Sequence, residues 1–348
     1  MKTKNNYSAK VKKLKNSEVE IEGEIDAAIL DTARRAVLDE ARKEITVPGF
    51  RKGNAPDNIL LQRVNEGEVM NEAAEMALNE IYPQILKDNE IDPLGAPETT
   101  ITKLAAGNPL GFKMKIGIIP EIKLGDYVKS AKHAIESAKN ESLEVSDEEI
   151  KAVMEQVRKL RGENDAVASP DVLPELTDQS VKALGKFENV EDFKNKLREN
   201  MKREKTDNAR KARRSGMVDQ IVKDSKLILP EITVSKEVEE LHRRFLRELS
   251  ESKTNLEDYL KRAKRTEEDI KAQHRAYVEN SLKTRLVLDK IAHEQNIKAD
   301  EAEVNRNVEF LMVKDPGSDR DYIEHYVTTV LTNEAVVDFL EERTKSAS

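Results

Sequence analysis

From Pro174 onward the chain carries one kind of pattern, apolar residues three and four apart with charged residues between them. Val190, Phe193, Leu197 and Met201 begin a stripe that resumes at Met217 and Ile221, which predicts one helix of roughly thirty residues and about 45–50 Å. Val238, Leu241, Phe245 and Leu249 form a second stripe after Pro230, and Val278, Leu282 and Leu286 lie on a third between Glu267 and Gln295. Two more follow, Val304, Val308, Leu311 and Met312, then Ile323, Tyr326 or Val327, Val330, Val337 and Leu340. Helices of this kind bury one narrow face and solvate the rest. The short loops between them predict antiparallel neighbours, and no fixed-period repeat marks a solenoid. Composition agrees: 36% of residues are charged, only 4% are aromatic, and there is no Trp. That is too little aromatic core for a single globule of 348 residues and suits elongated helical pieces.

The N-terminal part follows another rule. Val19, Ile21 and Ile25 alternate with Glu18, Glu20, Glu22 and Glu24, the period of a half-buried strand, and Ala9 to Leu14 can pair with it. From Asp26 the period changes, with Leu30, Ala33, Val37 and Ala41 on one helical face, and Pro48 and Gly49 are the expected stop. Further helices are expected at about Asn58 to Val64 and Glu68 to Asp88, and Phe112, Met114 and Ile116 alternate as a closing strand. Ile119 to Tyr127 reads as extended chain leaving this domain. Ser146 and Glu149 then form a capping-box pattern at the head of a short helix ending near Arg161. The expected organisation is an α+β domain over 1–118, an extended linker over 119–145, and an elongated all-α body over 146–348, mostly helical overall.

Several classes of function are excluded. With no cysteine, disulfides, thiolate metal sites and cysteine nucleophiles are impossible. His133, His242, His274, His293 and His325 are scattered and read as solvated or capping residues, with no metal site implied. No phosphate loop, hydrolase elbow or paired catalytic carboxylates stand out, so no catalytic residue and no cofactor is expected. The lysine-rich start lacks the apolar run of a secretory signal, and no segment approaches the roughly 20 apolar residues of a membrane helix; cytoplasm is the expected compartment. Net charge is −8, which argues against coating nucleic acid, DNA included, although Lys2, Lys4, Lys10, Lys12, Lys13 and Lys15 suit one local polyanionic contact. The run Arg210-Lys211-Ala212-Arg213-Arg214 reads as a solvated helix face.

One loop carries chemistry. Gly49-Phe50-Arg51-Lys52-Gly53-Asn54-Ala55-Pro56 joins two expected helices. Its glycines permit positive φ and a tight turn, and Pro56 suits a helix start. An aromatic beside two cations at a loop tip fits docking onto an acidic surface. Local chemistry is equally consistent with Phe50 tucked inward as a staple between the helices.

Gly-Phe-Arg-x-Gly-x-x-Pro resembles the ribosome-binding signature of the trigger factor family, matched here at Gly49, Phe50, Arg51, Gly53 and Pro56. Pro120 to Tyr127 is similar to the family's linker out of the N-terminal domain. Val145 to Ile150 resembles the helix entering its isomerase domain, and Leu173 to Thr177 the segment leaving it. The resemblance implies a large-subunit ribosomal protein and nearby rRNA at the tunnel exit as partners, docked through Phe50, Arg51 and Lys52. It implies a helical body with two arms that cradles nascent or unfolded polypeptides, with Phe310, Leu311, Met312, Tyr326 and Val330 as candidate contacts. Each of those is also what ordinary helix packing would use. A homodimer of the free form, burying its cradle, is compatible with the same reading. The family's FKBP-like prolyl-isomerase domain is expected to be absent, because Lys151 to Val172 contains no Phe, Tyr or Trp to line a prolyl pocket.

Overall fold

The computed structural model describes residues 2–4, 6–46, 50–51, 53–54, 56–137, 143–164 and 175–346. The chain begins with strands β1 (Lys2–Lys4), β2 (Tyr7–Lys13) and β3 (Glu18–Ile25), and helices α1 (Ala27–Glu44), α2 (Asp57–Leu60) and α3 (Glu66–Asp88). Strands β4 (Glu98–Lys103) and β5 (Leu110–Gly117) complete an antiparallel sheet of order β1-β2-β3-β5-β4. Helices account for the regular structure thereafter: α4 (Tyr127–Ser137), α5 (Asp147–Asn164), α6 (Asp178–Leu184) and α7 (Val190–Asp224). Then come α8 (Glu231–Glu251), α9 (Leu256–Ala263), α10 (Glu267–Gln295), α11 (Glu301–Lys314) and α12 (Arg320–Ser346).

Alternation in the strands decides the sheet's two faces. Val19, Ile21 and Ile25 of β3 and Leu110, Phe112, Met114 and Ile116 of β5 turn inward and are almost fully buried. They meet Leu30, Ala33, Val37 and Leu38 of α1 and the Ala73–Ala74–Ala77 stripe of α3. Gly23 completes this face because a Cβ there would lie 2.2 Å from the Ser8 carbonyl oxygen and 2.9 Å from the Phe112 ring. On the outer face Lys10 stands opposite Glu22, and Lys12 opposite Glu20, while Glu20 faces Lys115 and Glu22 faces Lys113. Lys113 Nζ reaches Glu20 at 3.0 Å and Lys103 reaches Glu24 at 3.4 Å, exposed pairs that set cross-strand charge order more than stability.

Compactness divides the chain into two units, one comprising Met1–Lys123 and Ser225–Lys290, the other Leu124–Asp224 and Ile291–Ser348. This differs from the linear division expected from sequence, because α8 is fastened to the sheet. Glu18, buried at the start of β3, accepts a hydrogen bond from the Ile232 amide at 3.1 Å and pairs with Lys115 at 2.8 Å. A carboxylate beside a helix N-terminus satisfies an otherwise unpaired amide and the helix dipole together. Thr233 Oγ1 donates to the Leu94 carbonyl at 2.5 Å. Farther along, Arg275 of α10 holds Glu231 through two hydrogen bonds of 2.8 and 2.7 Å, and Val234, Val278 and Leu282 form a small core.

In the second unit α4 packs along α7, where Ser130 Oγ donates to Asp224 at 2.5 Å over buried Ala131. The extended linker expected over 119–145 is therefore corrected: α4 occupies Tyr127–Ser137. The three-and-four spacing of Val128, Ala131 and Ile135 is the sequence signal for this helix. The capping box at Ser146 is present, with the Glu149 amide donating to Ser146 Oγ at 3.3 Å and the Ser146 amide to Glu149 Oε2 at 2.9 Å. Along the basic run of α7, Arg210, Lys211 and Arg213 are exposed, as expected of a solvated face, while Arg214 is half-buried. Arg214 pairs with Asp338 and, at 3.0 Å, with Glu341 of α12, and Arg210 approaches Glu341 at 3.7 Å.

Candidate docking loop and apolar surface

Helix α1 ends with Arg42 and Lys43 in its last turn, cations that favour a helix C-terminus. Ile45 follows in an extended conformation, φ −84° and ψ 131°, its amide still donating to the Ala41 carbonyl. Pro48 and Gly49 lie outside the described residues, as do Lys52 and Ala55. Beyond them the Asn54 amide donates to the Arg51 carbonyl at 3.0 Å, closing a turn with Gly53 at its third position. Gly53 has φ +86°, the value that the third position of a type II turn demands. A Cβ there would meet nothing within 4 Å, so glycine serves conformation and not space. The Pro56 carbonyl accepts from the Ile59 and Leu60 amides at 3.0 and 2.9 Å, starting α2. This helix is shorter than the sequence suggested and runs into turns before Asn65.

Apolar anchors brace both sides of the loop. Leu60 is fully buried, and Ile45, Leu61 and Val64 pack against the same core. Phe50, by contrast, is 41% exposed, and Arg51, Gly53 and Pro56 are exposed. The inward-staple reading of Phe50 is not what this geometry gives. A partly uncovered ring next to an exposed guanidinium can bury apolar area against a partner and grip carboxylate or phosphate at once.

The candidate residues on α11 and α12 separate into two sets. Leu311 and Met312 are half-buried against Val304, Val308 and Val327, so they belong with that core. Phe310, Tyr326 and Val330 are exposed, and so are Val313 and Tyr322, which the sequence reading missed. Tyr322, Tyr326 and Val330 are four apart, one stripe on α12, while Ile323, Val327 and Leu331 form the adjacent stripe that faces the core. That spacing was the available signal for Tyr322. Lys314 Nζ sits 4.4 Å from the centre of the Phe310 ring, so the exposed apolar patch is edged by charge.

Among the described residues no group of three His, Asp or Glu side chains could hold a metal. The 290 Å³ cleft among α4, α7 and α12 is lined by Lys132, Glu136, Arg210, Arg213, Glu341 and Lys345, with Ile135 and Thr344. Its charges are largely engaged with one another: Lys132 lies 4.0 Å from Glu136, and Arg214 beside the cleft holds Glu341 below the usual carboxylate range. No described helix is long and apolar enough to cross a membrane.

Two family models match, "Bacterial trigger factor protein (TF)" over residues 7–157 and "Bacterial trigger factor protein (TF) C-terminus" over residues 189–345. Together they account for most of the chain. The chain belongs to the trigger factor family. A trigger factor of Moorella thermoacetica is 23% identical over 387 positions, covering 86% of this chain and 85% of the relative. One from Halothermothrix orenii is 22% identical over 427 positions, covering 97% and 99%. That alignment is longer than the 348 residues of this chain, so the relative carries residues with no counterpart here. A solved structure from work on promiscuous substrate recognition in the folding and assembly activities of the trigger factor chaperone shares the fold. It matches with TM-score 0.52 and 15% identity, over 97% of this chain and 100% of that one. Between the two matched trigger factor regions lie only residues 158–188.

Proposed function

We propose that this trigger factor is an ATP-independent chaperone that docks at the ribosomal exit tunnel and holds nascent or unfolded polypeptides in the cytoplasm. Family membership and fold support the chaperone role itself. The observation that carries the docking assignment is Phe50, 41% exposed next to exposed Arg51 on a loop braced by Leu60 and by the positive φ of Gly53. Phe50 supplies apolar area, Arg51 and Lys52 supply charge for a ribosomal protein and adjacent rRNA, Gly53 shapes the turn and Pro56 starts the next helix, with Gly49 the remaining position of the signature. Client holding is assigned to the exposed positions Phe310, Val313, Tyr322, Tyr326 and Val330. Dispersed, solvated apolar groups of this kind suit weak and replaceable contacts with many sequences.

We further infer that this chain does not catalyse prolyl isomerisation. The 158–188 interval and the longer alignment of the relative support this reading, and a proline-limited refolding reaction should run no faster with the protein present. Client holding is tested by aggregation of a chemically denatured model protein. The wild type should suppress aggregation at stoichiometric excess, and a Phe310→Ser/Tyr322→Ser/Tyr326→Ser variant with an unchanged circular dichroism spectrum should suppress it much less. Absence of suppression by the wild type would leave a ribosome-associated scaffold as the better reading.

A further inference from the structure

Two histidines that the sequence reading treated as scattered are brought together in the first unit. His242 of α8 and His274 of α10 have ring centroids 5.5 Å apart. Phe245 packs edge-on to His274 at 5.5 Å and to Tyr259 of α9 at 5.2 Å, and lies 6.1 Å from His242. His242 is only 9% exposed. Neither of its ring nitrogens, nor Nδ1 of His274, has a hydrogen-bond partner among the described residues. Four rings from three helices thus form one small cluster.

The charges around the cluster are unequal. Glu267 Oε1 approaches His242 Nε2 at 3.4 Å, without the alignment of a hydrogen bond. The same carboxylate is bonded to Lys271 Nζ at 2.7 Å. Asp269 caps the start of α10 through Thr266, and Arg265 is bonded to Gln273. From α9 the ring facing the cluster is Tyr259. For His274 the charge that acts on it is another imidazole, His242. Burial, with His242 adding to it, holds His274 below the ordinary histidine range.

We propose that the His242–His274 pair is an acid-sensitive latch, closing α8 and α9 onto α10 while His274 is neutral and loosening them when it takes up a proton. A charged His274 would sit among the buried His242 and the half-buried Phe245 without a carboxylate bonded to its Nδ1, and opening restores its hydration. Opening also uncovers Phe245 and Tyr259. The sign follows from linkage: with the folded value below the unfolded one, stability is intact above the unfolded value of about 6.5 and is lost as pH falls towards the folded value.

The test is hydrogen exchange on the full chain at pH 7.5 and 5.5, corrected for intrinsic rates, for the wild type and for His274→Phe. On acidification the wild-type amides of Glu231–Glu251 and Glu267–Gln295 should lose protection by a factor of roughly three to ten. Strands Glu18–Ile25 and Leu110–Gly117 should keep theirs, and His274→Phe should remove most of the loss. Equal losses in the two proteins, or a loss spread over the sheet as well, would overturn the proposal. A direct titration of the wild-type His274 imidazole by NMR covers the case of a poorly folded variant: a midpoint below the ordinary value supports the latch, and one at or above it refutes it.

Discussion

Gly117 ends β5 where α8 begins to pack on the sheet, and replacing it with alanine probes the seam that joins the two segments of the first unit. A Cβ at this position would lie 2.2 Å from Thr233 Oγ1, 2.8 Å from Pro230 Cγ and 3.0 Å from Pro230 Cβ. Pro230 cannot yield by rotation, so Thr233 must turn away. In doing so it gives up its 2.5 Å hydrogen bond to the Leu94 carbonyl in a buried setting. Overpacking costs about 1–3 kcal/mol, and losing a buried hydrogen bond adds about 1 kcal/mol. Gly117→Ala should therefore destabilise the unit by about 2–4 kcal/mol, a fall in Tm of roughly 5–12 °C for a unit of this size. Urea unfolding followed by circular dichroism reads the change as a lower midpoint at constant slope. Because Thr233→Ala removes both the clashing oxygen and the hydrogen bond, the double variant should be more stable than the sum of the singles by about 1–2 kcal/mol. A Gly117→Ala protein within about 0.5 kcal/mol of the wild type, or strictly additive singles, would refute the reasoning.

Two further predictions concern the second unit. Arg214→Ala strips Glu341 of its 3.0 Å partner in a setting where both side chains are mostly covered, and should cost about 1–3 kcal/mol at neutral pH. Glu341 is held below the usual carboxylate range chiefly by that hydrogen bond. The stabilisation is thus complete above the unfolded carboxylate value of about 4.3 and is lost as pH falls through the folded one; wild-type and variant unfolding midpoints should converge in acid. Ser146→Ala removes the side-chain acceptor of the Glu149 amide and should cost about 1 kcal/mol, read as faster amide exchange confined to the first turn of α5.

Elements built on their own periodicity were legible in the sequence. Val19, Ile21 and Ile25 declared β3, Ser146 with Glu149 declared the head of α5, and Pro230 marked the start of α8. Elements built on contacts were not. Strand β4 is exposed along nearly all its length and shows no apolar pattern, whereas the three-and-four spacing of Val128, Ala131 and Ile135 was an available signal for α4. The grouping of Ser225–Lys290 with the sheet rests on Glu18, Leu94 and Gly117 meeting residues more than a hundred positions away. The basic run of α7 is exposed as its composition suggests, but the pairing of Arg214 with Asp338 and Glu341 depends on another helix and is not legible in the run itself.

The candidate sites divide along the same line. The Gly49–Pro56 signature is local, and its turn at Gly53 is local chemistry. Whether Phe50 faced in or out depended on which residues fill the core, Leu60 and Ile45 among them, which no short segment reveals. On α12 two stripes offset by one residue, at Tyr322 and Ile323, competed for the core. The aliphatic one, ending in Leu331, occupies it; the tyrosine stripe is left outside.

The central claim is that the chain docks through the Phe50 loop. Co-sedimentation with purified ribosomes of the wild type and of a Phe50→Ala/Arg51→Ala/Lys52→Ala variant tests it most directly, with thermal unfolding run alongside. Phe50 and Arg51 already face solvent, so the variant should keep its fold and melting temperature while losing nearly all ribosome binding. A folded variant that still sediments with ribosomes as the wild type does would contradict the account.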